Sequence, residues 1–584
     1  MSGLLDAIGY GGWILHALVW LPLVGMGVVL AGSREGAKKT AFGWSGGIFL
    51  LSLGLWWAFD PSSADFQLAS SVPWIETWGV HYALGVDGIS LFMVLLTTFM
   101  TPVAILGSWR YIEEREKAFY ALMLLLEMGV VGVFLSLDLL LFYVFFELTL
   151  VPMYFIIGVW GGERRVYAAV KFFLYTAVGS LLMLVAIVYL HVRAQELLGV
   201  ASFAYADLLR APLALGEQLW LFGAFALAFA IKVPVFPLHT WLPDAHVEAP
   251  TPGSVILAAI LLKMGTYGFL RFLLPLFPAA AQHPTVVAVM LGLGVVGIVY
   301  AAWVAAVQPD AKKLVAYTSV AHMGFVVLGV FALTVNGLQG GLIVMISHGI
   351  STGALFLLLG MLYERRHTRR IEDFGGLARV APWFGVAFVI TALASIGLPG
   401  TSGFVGEFLA LLGTFETHPW IAGIGTTGVI FAAYYMLPMV QRIWFNELAE
   451  EENREVEDLS GREVAILAPL CALMIWIGVQ PGPILDRMGP SVAAVLERVE
   501  EGAAATAGLS AGAPARGEVF GWAPVEGSHL RGLPISEPPS SPARDAVSRA
   551  ADAAGDDAAG GPAADPAAEP DSDPAHASEP TTAP

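Results

Sequence analysis

Lys232 and Lys263 lie deep inside apolar stretches of the chain, within 217–240 and 253–277. A lysine at the centre of a bilayer costs roughly 2.5–3.5 kcal/mol even on lenient insertion scales, so one persists where it faces a partner or water and has a task. Carrying a proton is the task its chemistry offers. The opposite charge comes from Glu147, in the run Leu141-Phe-Tyr-Val-Phe-Phe-Glu147-Leu-Thr-Leu-Val-Pro152, whose interior holds no other charged residue. A carboxylate that approaches Lys232 holds its proton in place and one that retreats lets it go, so two residues make a switch. His322 and His348 stand in apolar segments between the lysines and a further buried acid, Glu407. An imidazole takes a proton on one nitrogen while releasing one from the other. The expected line of proton-transfer residues is therefore Glu147, Lys232, Lys263, His322, His348 and Glu407. Glu127 is a weaker candidate, and Asp138 reads as the cap of a helix start. A passive scaffold is disfavoured, because each buried charge adds cost without a packing need.

The elements that must position these residues are apolar stretches of about twenty residues, long enough to cross the hydrocarbon core as helices. Fourteen are expected, near 13–31, 40–59, 84–109, 117–135, 137–160, 169–192, 217–240, 253–277, 284–307, 311–333, 339–362, 384–416, 421–446 and 461–479. Lys and Arg separate between alternate loops: the odd-numbered loops and their edges hold eighteen, the even-numbered ones only Arg193, Arg210 and Arg271. By the positive-inside rule the odd loops face the cytoplasm and both termini lie opposite. Lys171, near the cytoplasmic start of the sixth span, is expected to snorkel to the headgroups.

Two of the spans are interrupted. Lys232-Val-Pro-Val-Phe-Pro237 places two prolines in the seventh, and Gly397-Leu-Pro399-Gly400-Thr-Ser-Gly403 interrupts the twelfth just before Glu407. Each proline removes a backbone donor, and in lipid the freed carbonyls must find protein or water. Broken helices beside buried charges are where transporters place ion sites. Span seven is fourth in the set four to eight, and span twelve fourth in the set nine to thirteen. Sets of five begin on opposite faces, so the expected fold is an all-α polytopic membrane protein with two inverted five-helix repeats and broken helices seven and twelve.

The chain has 584 residues, 57% hydrophobic and 13% charged, about half the charged share of a soluble domain. A single cysteine, Cys471, excludes an internal disulfide and an iron–sulfur cluster held by this chain alone. The formal charge of −18 is half tail: residues 501–584 carry 13 acidic and 4 basic side chains. That Ala/Pro-rich segment is expected to be disordered, leaving 1–500 as the transmembrane domain. The first apolar run lacks a convincing cleavage site, so no signal peptide is expected, and no long lateral helix is expected after the fourteenth span. Gly292-Leu-Gly294-Val-Val-Gly297 matches a dinucleotide fingerprint by letters only, inside an apolar span with no preceding strand. His239 and His246, with Asp244 and Glu248, lack a usual zinc spacing; that charged loop is read instead as a way in for cytoplasmic protons.

Longer runs carry a resemblance: Phe145-Phe-Glu147-Leu-Thr-Leu-Val-Pro-Met-Tyr, Lys232-Val-Pro-Val-Phe-Pro-Leu-His-Thr-Trp-Leu-Pro-Asp-Ala-His-Val-Glu-Ala-Pro-Thr, Ala316-Tyr-Thr-Ser-Val-Ala-His322-Met-Gly and Gly403-Phe-Val-Gly-Glu407-Phe. Over roughly residues 1–500 the chain resembles the antiporter-like subunits of NADH-quinone oxidoreductase, respiratory complex I, which are related to Mrp-type antiporters. The resemblance implies a proton-pumping subunit of the membrane arm of an inner-membrane complex, driven by quinone reduction elsewhere. It implies that no cofactor is bound by this chain, with NADH, FMN, Fe–S clusters and quinone in partner subunits, and no nucleic acid. Glu147 and Lys232 match the family's ion pair, Lys263 its central lysine, Glu407 its exit residue, and His322 and His348 its relay positions. The sister L and N chains, the implied neighbours, place a lysine where Glu407 stands, so the M-type branch, with mitochondrial subunit 4, is the one resembled. The alternative is a subunit of an Mrp-type cation/proton antiporter or of a membrane-bound hydrogenase, told apart by its neighbouring subunits.

Overall fold

In lipid, an apolar segment satisfies its backbone only by closing its own hydrogen bonds, so the long apolar runs fold as helices. The computed structural model describes residues 2–510. In chain order the main helices are α1 (Tyr10–Ala31), α2 (Ala37–Ala58), α3 (Ser90–Gly107), α4 (Glu116–Leu135), α5 (Leu139–Trp160), α6 (Arg165–Leu198), α7 (Leu215–Lys232), α8 (Trp241–Glu248), α9 (Thr251–Leu276), α10 (Pro284–Ala306), α11 (Ala311–Phe331), α12 (Val335–Arg366), α13 (Pro382–Ile396), α14 (Ser402–Thr417), α15 (Pro419–Phe445), α16 (Gly461–Val479) and α17 (Gly482–Ser510). Thirteen of them are long and apolar enough to cross a membrane. The twelfth expected stretch is divided into α13 and α14, and the seventh stays helical only to Lys232, where α7 ends and a non-helical segment leads to the short α8.

Two elements depart from the sequence reading. Residues 67–86 form an antiparallel hairpin, β1 (Gln67–Ile75) with β2 (Val80–Val86), in a loop where no strand was expected. A 29-residue helix, α17, follows the last span, against the expectation that no long helix would. It spans about 43 Å at 1.5 Å per residue. Its Ser491 hydroxyl accepts from Gly88 N at 3.0 Å, and its Thr506 hydroxyl accepts from Gln218 Nε2 at 3.0 Å, tying it to the starts of α3 and α7. The acidic tail expected over 501–584 lies, from residue 511 on, outside the described residues.

The core sits around two helices. The apolar windows of α9 and α12 are wholly buried, whereas those of α6 and α16 are only 39% and 33% buried. α9 is also irregular, with π-helical turns at Leu257–Leu261 and Phe269–Leu273; such turns shift the hydrogen-bond ladder and cluster at functional positions. α12 packs on α14 through glycines that let the backbones meet. A Cβ at Gly340 would stand 2.2 Å from Ala410 N, and one at Gly413 would stand 2.1 Å from Gly337 N. Gly340→Ala therefore forces the pair apart at a cost of about 1–3 kcal/mol. We expect earlier thermal unfolding of the detergent-solubilised protein by intrinsic fluorescence; an unchanged midpoint would refute the contact.

Candidate functional site

Lys263 lies in α9 just after the first π turn and is fully buried. Its Nζ donates to the Ala258 carbonyl of that turn at 2.5 Å and stands 2.6 Å from His348 Nδ1. His348 lies on α12, so this polar contact joins the two most enclosed helices. The other His348 nitrogen, Nε2, is buried with no partner among the described residues. The His322 ring, on α11, is 5.6 Å from that of His348 with the planes at 63°. His322 Nδ1 is 2.9 Å from Glu407 Oε1, and its Nε2 is 3.3 Å from Ser395 Oγ. Lys263, His348, His322 and Glu407 thus form one buried file across α9, α12, α11 and α14.

Glu407 sits beside the α13–α14 interruption. Gly397 caps α13 with φ of +80°, a left-handed conformation that glycine adopts without penalty. A Cβ there would come within 2.8 Å of Glu407 Oε2. The break needs glycine for its backbone and for the room it leaves the carboxylate.

Glu147 and Lys232 are neighbours without closing a contact. Lys232 is buried, with Nζ 5.1 Å from the Phe146 ring centre and 5.6 Å from that of Phe172, and has no hydrogen-bond partner. Glu147 Oε1 is likewise buried and unpartnered. The two charges act on one another electrostatically, yet no ion pair within 4.0 Å joins them among the described residues. The Phe146 and Phe172 rings are the cation–π neighbours of the Lys232 ammonium. Glu127, on α4, is buried with both oxygens unpartnered. Asp138 caps α5, accepting from Leu140 N at 3.0 Å and Leu141 N at 3.1 Å.

At the other end of the file, His246 on α8 stacks on Phe356 at 4.5 Å with both nitrogens unpartnered. His239 stacks on Phe236 and meets the Tyr300 ring edge to face. Lys171 Nζ pairs with Asp244 Oδ2 at 2.7 Å and donates to the Thr240 carbonyl at 3.0 Å, because the start of α8 and the residue before it come within reach of α6. A cavity of about 230 Å³ opens beside the end of α8, bordered by Glu248, Lys312 and Arg369. The fingerprint-like glycines lie inside α10, where Gly294 packs against Leu328.

Two features escaped the sequence reading. Arg271, counted with the loop cations, is buried in the second π turn of α9 and paired with Asp87. Asp87 also accepts from Ile89 N and Ser90 N, so it caps the start of α3. The Asp-x-x-Ser spacing before an apolar run was a readable sign of that cap. Arg365 on α12 grips Glu463 of α16 through two nitrogens at 2.8 and 2.9 Å, a bidentate pair that fixes the exit of the enclosed helix.

Comparison with known proteins follows the same lines. The family described as NADH:quinone oxidoreductase/Mrp antiporter, transmembrane, matches residues 136–432. NADH-quinone oxidoreductase subunit M of Rhodobacter capsulatus is 47% identical over 501 residues, covering 83% of this chain and 96% of that one. NADH-ubiquinone oxidoreductase chain 4 of Marchantia polymorpha is 42% identical over 487 residues, covering 83% and 97%. A chain of respiratory complex I from Thermus thermophilus, solved with bound NADH, superposes with a TM-score of 0.76 at 36% identity, covering 83% of this chain and 99% of that one.

Proposed function

The chain belongs to the NADH:quinone oxidoreductase/Mrp antiporter transmembrane family, and from that premise we propose that it serves as the M-type, proton-translocating subunit of the complex I membrane arm. It is a multi-pass membrane protein and part of an oxidoreductase complex. It holds no redox centre of its own; NADH, FMN, Fe–S clusters and quinone belong to partner subunits, and L- and N-type chains flank it in the bilayer. Residues 1–500 act as one antiporter-like domain, with inverted repeats spanning α4 to α9 and α10 to α15. The odd-numbered loops face the cytoplasm and both termini the opposite side.

The observation that carries this reading is the file of titratable groups in the buried interior, built from two hydrogen-bonded pairs, Lys263–His348 and His322–Glu407, whose imidazole rings lie 5.6 Å apart. Protons enter beside α8, where the charged loop and the small cavity lie. Glu147 and Lys232 act as the switch: when Glu147 closes on Lys232 the ammonium is held, and when it withdraws the proton is released toward Lys263. Lys263 passes it to His348, His322 conveys it onward, and Glu407 delivers it to the far side through the α13–α14 break. A chain of groups each able to accept on one side and donate on the other is what long-range proton transfer requires.

The test is paired: quinone-reductase turnover and proton uptake in membranes carrying Lys232→Ala or Glu407→Ala. Both activities should fall by about tenfold, equivalent to roughly 1.4 kcal/mol in the limiting step, with the complex still assembled. NADH oxidation left untouched while cation/proton exchange disappears would assign the chain to a stand-alone antiporter instead.

A further inference from the structure

The file has one joint that its titratable members do not close. His348 spends Nδ1 on Lys263, and His322 spends Nδ1 on Glu407. With the rings at 63°, the edge of one is turned toward the face of the other, and a face offers neither an N–H nor an in-plane lone pair. Two nitrogens remain, the buried, unpartnered His348 Nε2 and the His322 Nε2 that Ser395 Oγ reaches at 3.3 Å. Ser395 is itself buried, in the last turn of α13 before the Gly397 break.

On the reading of this file as a proton path, we propose that the Ser395 hydroxyl is the link between the two histidines, handing a proton to His322 Nε2. A hydroxyl donates one hydrogen and accepts on its lone pairs, so it gives and receives in the same step. The Ser395 O–H bond breaks as its proton moves to His322 Nε2, and a new O–H bond forms with a proton relayed from His348 Nε2 by one bridging water, which gives up one proton as it takes another; no polar atom of the described residues lies within hydrogen-bond reach of that nitrogen. The Nδ1 proton of His322 then passes to Glu407 Oε1. Serine is regenerated, and one positive charge has moved from His348 to His322 before being neutralised at the carboxylate. A purely structural serine near a helix end bonds a carbonyl one turn back, whereas the hydrogen-bond partner of Ser395 Oγ among the described residues is the His322 imidazole.

The experiment compares Ser395→Thr with Ser395→Val in membranes carrying the whole complex, reading proton uptake driven by NADH oxidation, with Glu407→Ala alongside. Threonine and valine have nearly the same shape and differ in the hydroxyl. The threonine variant should keep uptake within about twofold of the unaltered protein, and the valine variant should lose about fivefold, or ~1 kcal/mol in the barrier. Equal uptake in the two variants, whether high or low, overturns the proposal, because packing alone would move both together. If Glu407→Ala leaves uptake unchanged, the proton-path reading itself fails; if Glu407→Ala is impaired while Thr and Val match, only the role of Ser395 fails. Ser395→Ala, smaller than serine, keeps the comparison should the branched pair not assemble, and full uptake in it overturns the proposal.

Discussion

Lys263→Ala abolishes proton translocation, with turnover of the assembled complex reduced by at least about tenfold, and Lys263→Arg does no better. Lys263 is the cation that reaches His348, and its other partner, the Ala258 carbonyl, accepts hydrogen bonds without supplying protons. Alanine leaves His348 with neither source nor sink on its Nδ1 side. Arginine restores charge and donors but does not deprotonate in proteins, so it separates holding a charge from passing a proton. Truncating a long side chain between two enclosed helices also leaves a cavity, at about 2–5 kcal/mol by analogy with core leucines. Assembly must therefore be followed on native gels beside proton uptake. Full pumping by Lys263→Arg would sink the assignment of Lys263 as a proton carrier.

Asp87→Ala should have the largest effect on stability. It strands the Arg271 guanidinium in a site where the arginine is 4% exposed, and removing one partner of a buried ion pair costs about 3–5 kcal/mol. It also deletes the acceptor for Ile89 N and Ser90 N at the start of α3, adding about 1 kcal/mol. The assembled complex should be scarce in these membranes. The pair Asp87→Asn with Arg271→Met should recover most of it, because asparagine keeps the cap and methionine removes the orphaned charge; replacing both partners of a buried pair is often neutral or better. Normal assembly of Asp87→Ala alone would show that Arg271 is satisfied by its tyrosine and phenylalanine neighbours without the carboxylate.

The contrast between these two sites marks what the sequence made legible. Span positions were readable because a twenty-residue apolar run has few ways to satisfy its backbone in lipid, and Lys232, Lys263 and Glu407 stood out because charge is rare there. Arg271 is as deeply buried, yet near the end of an apolar run it looks like any interfacial cation, and its partner is 184 positions away along the chain. Ser395 carried no signal, since serines are common in membrane helices and only the fold brings one to an imidazole. The hairpin was hidden by Pro73 and weak alternation in β1. The last helix was missed because its apolar residues form a stripe too sparse to read as a span, and its Ala-rich end blends into the acidic tail.

The enclosure of α9 has a consequence for how the protein is made. His348 follows Lys263 by 85 residues, and Glu407 follows His322 by the same 85. At about 5–20 residues per second of synthesis, each early member waits roughly 4–17 s before its partner emerges from the ribosome. Throughout that interval the nascent α9 holds a lysine whose closest intrahelical relief is the carbonyl of its own π turn. The Ala258 carbonyl of that irregular turn is the partner α9 can offer Lys263 from within itself, before α12 has been made.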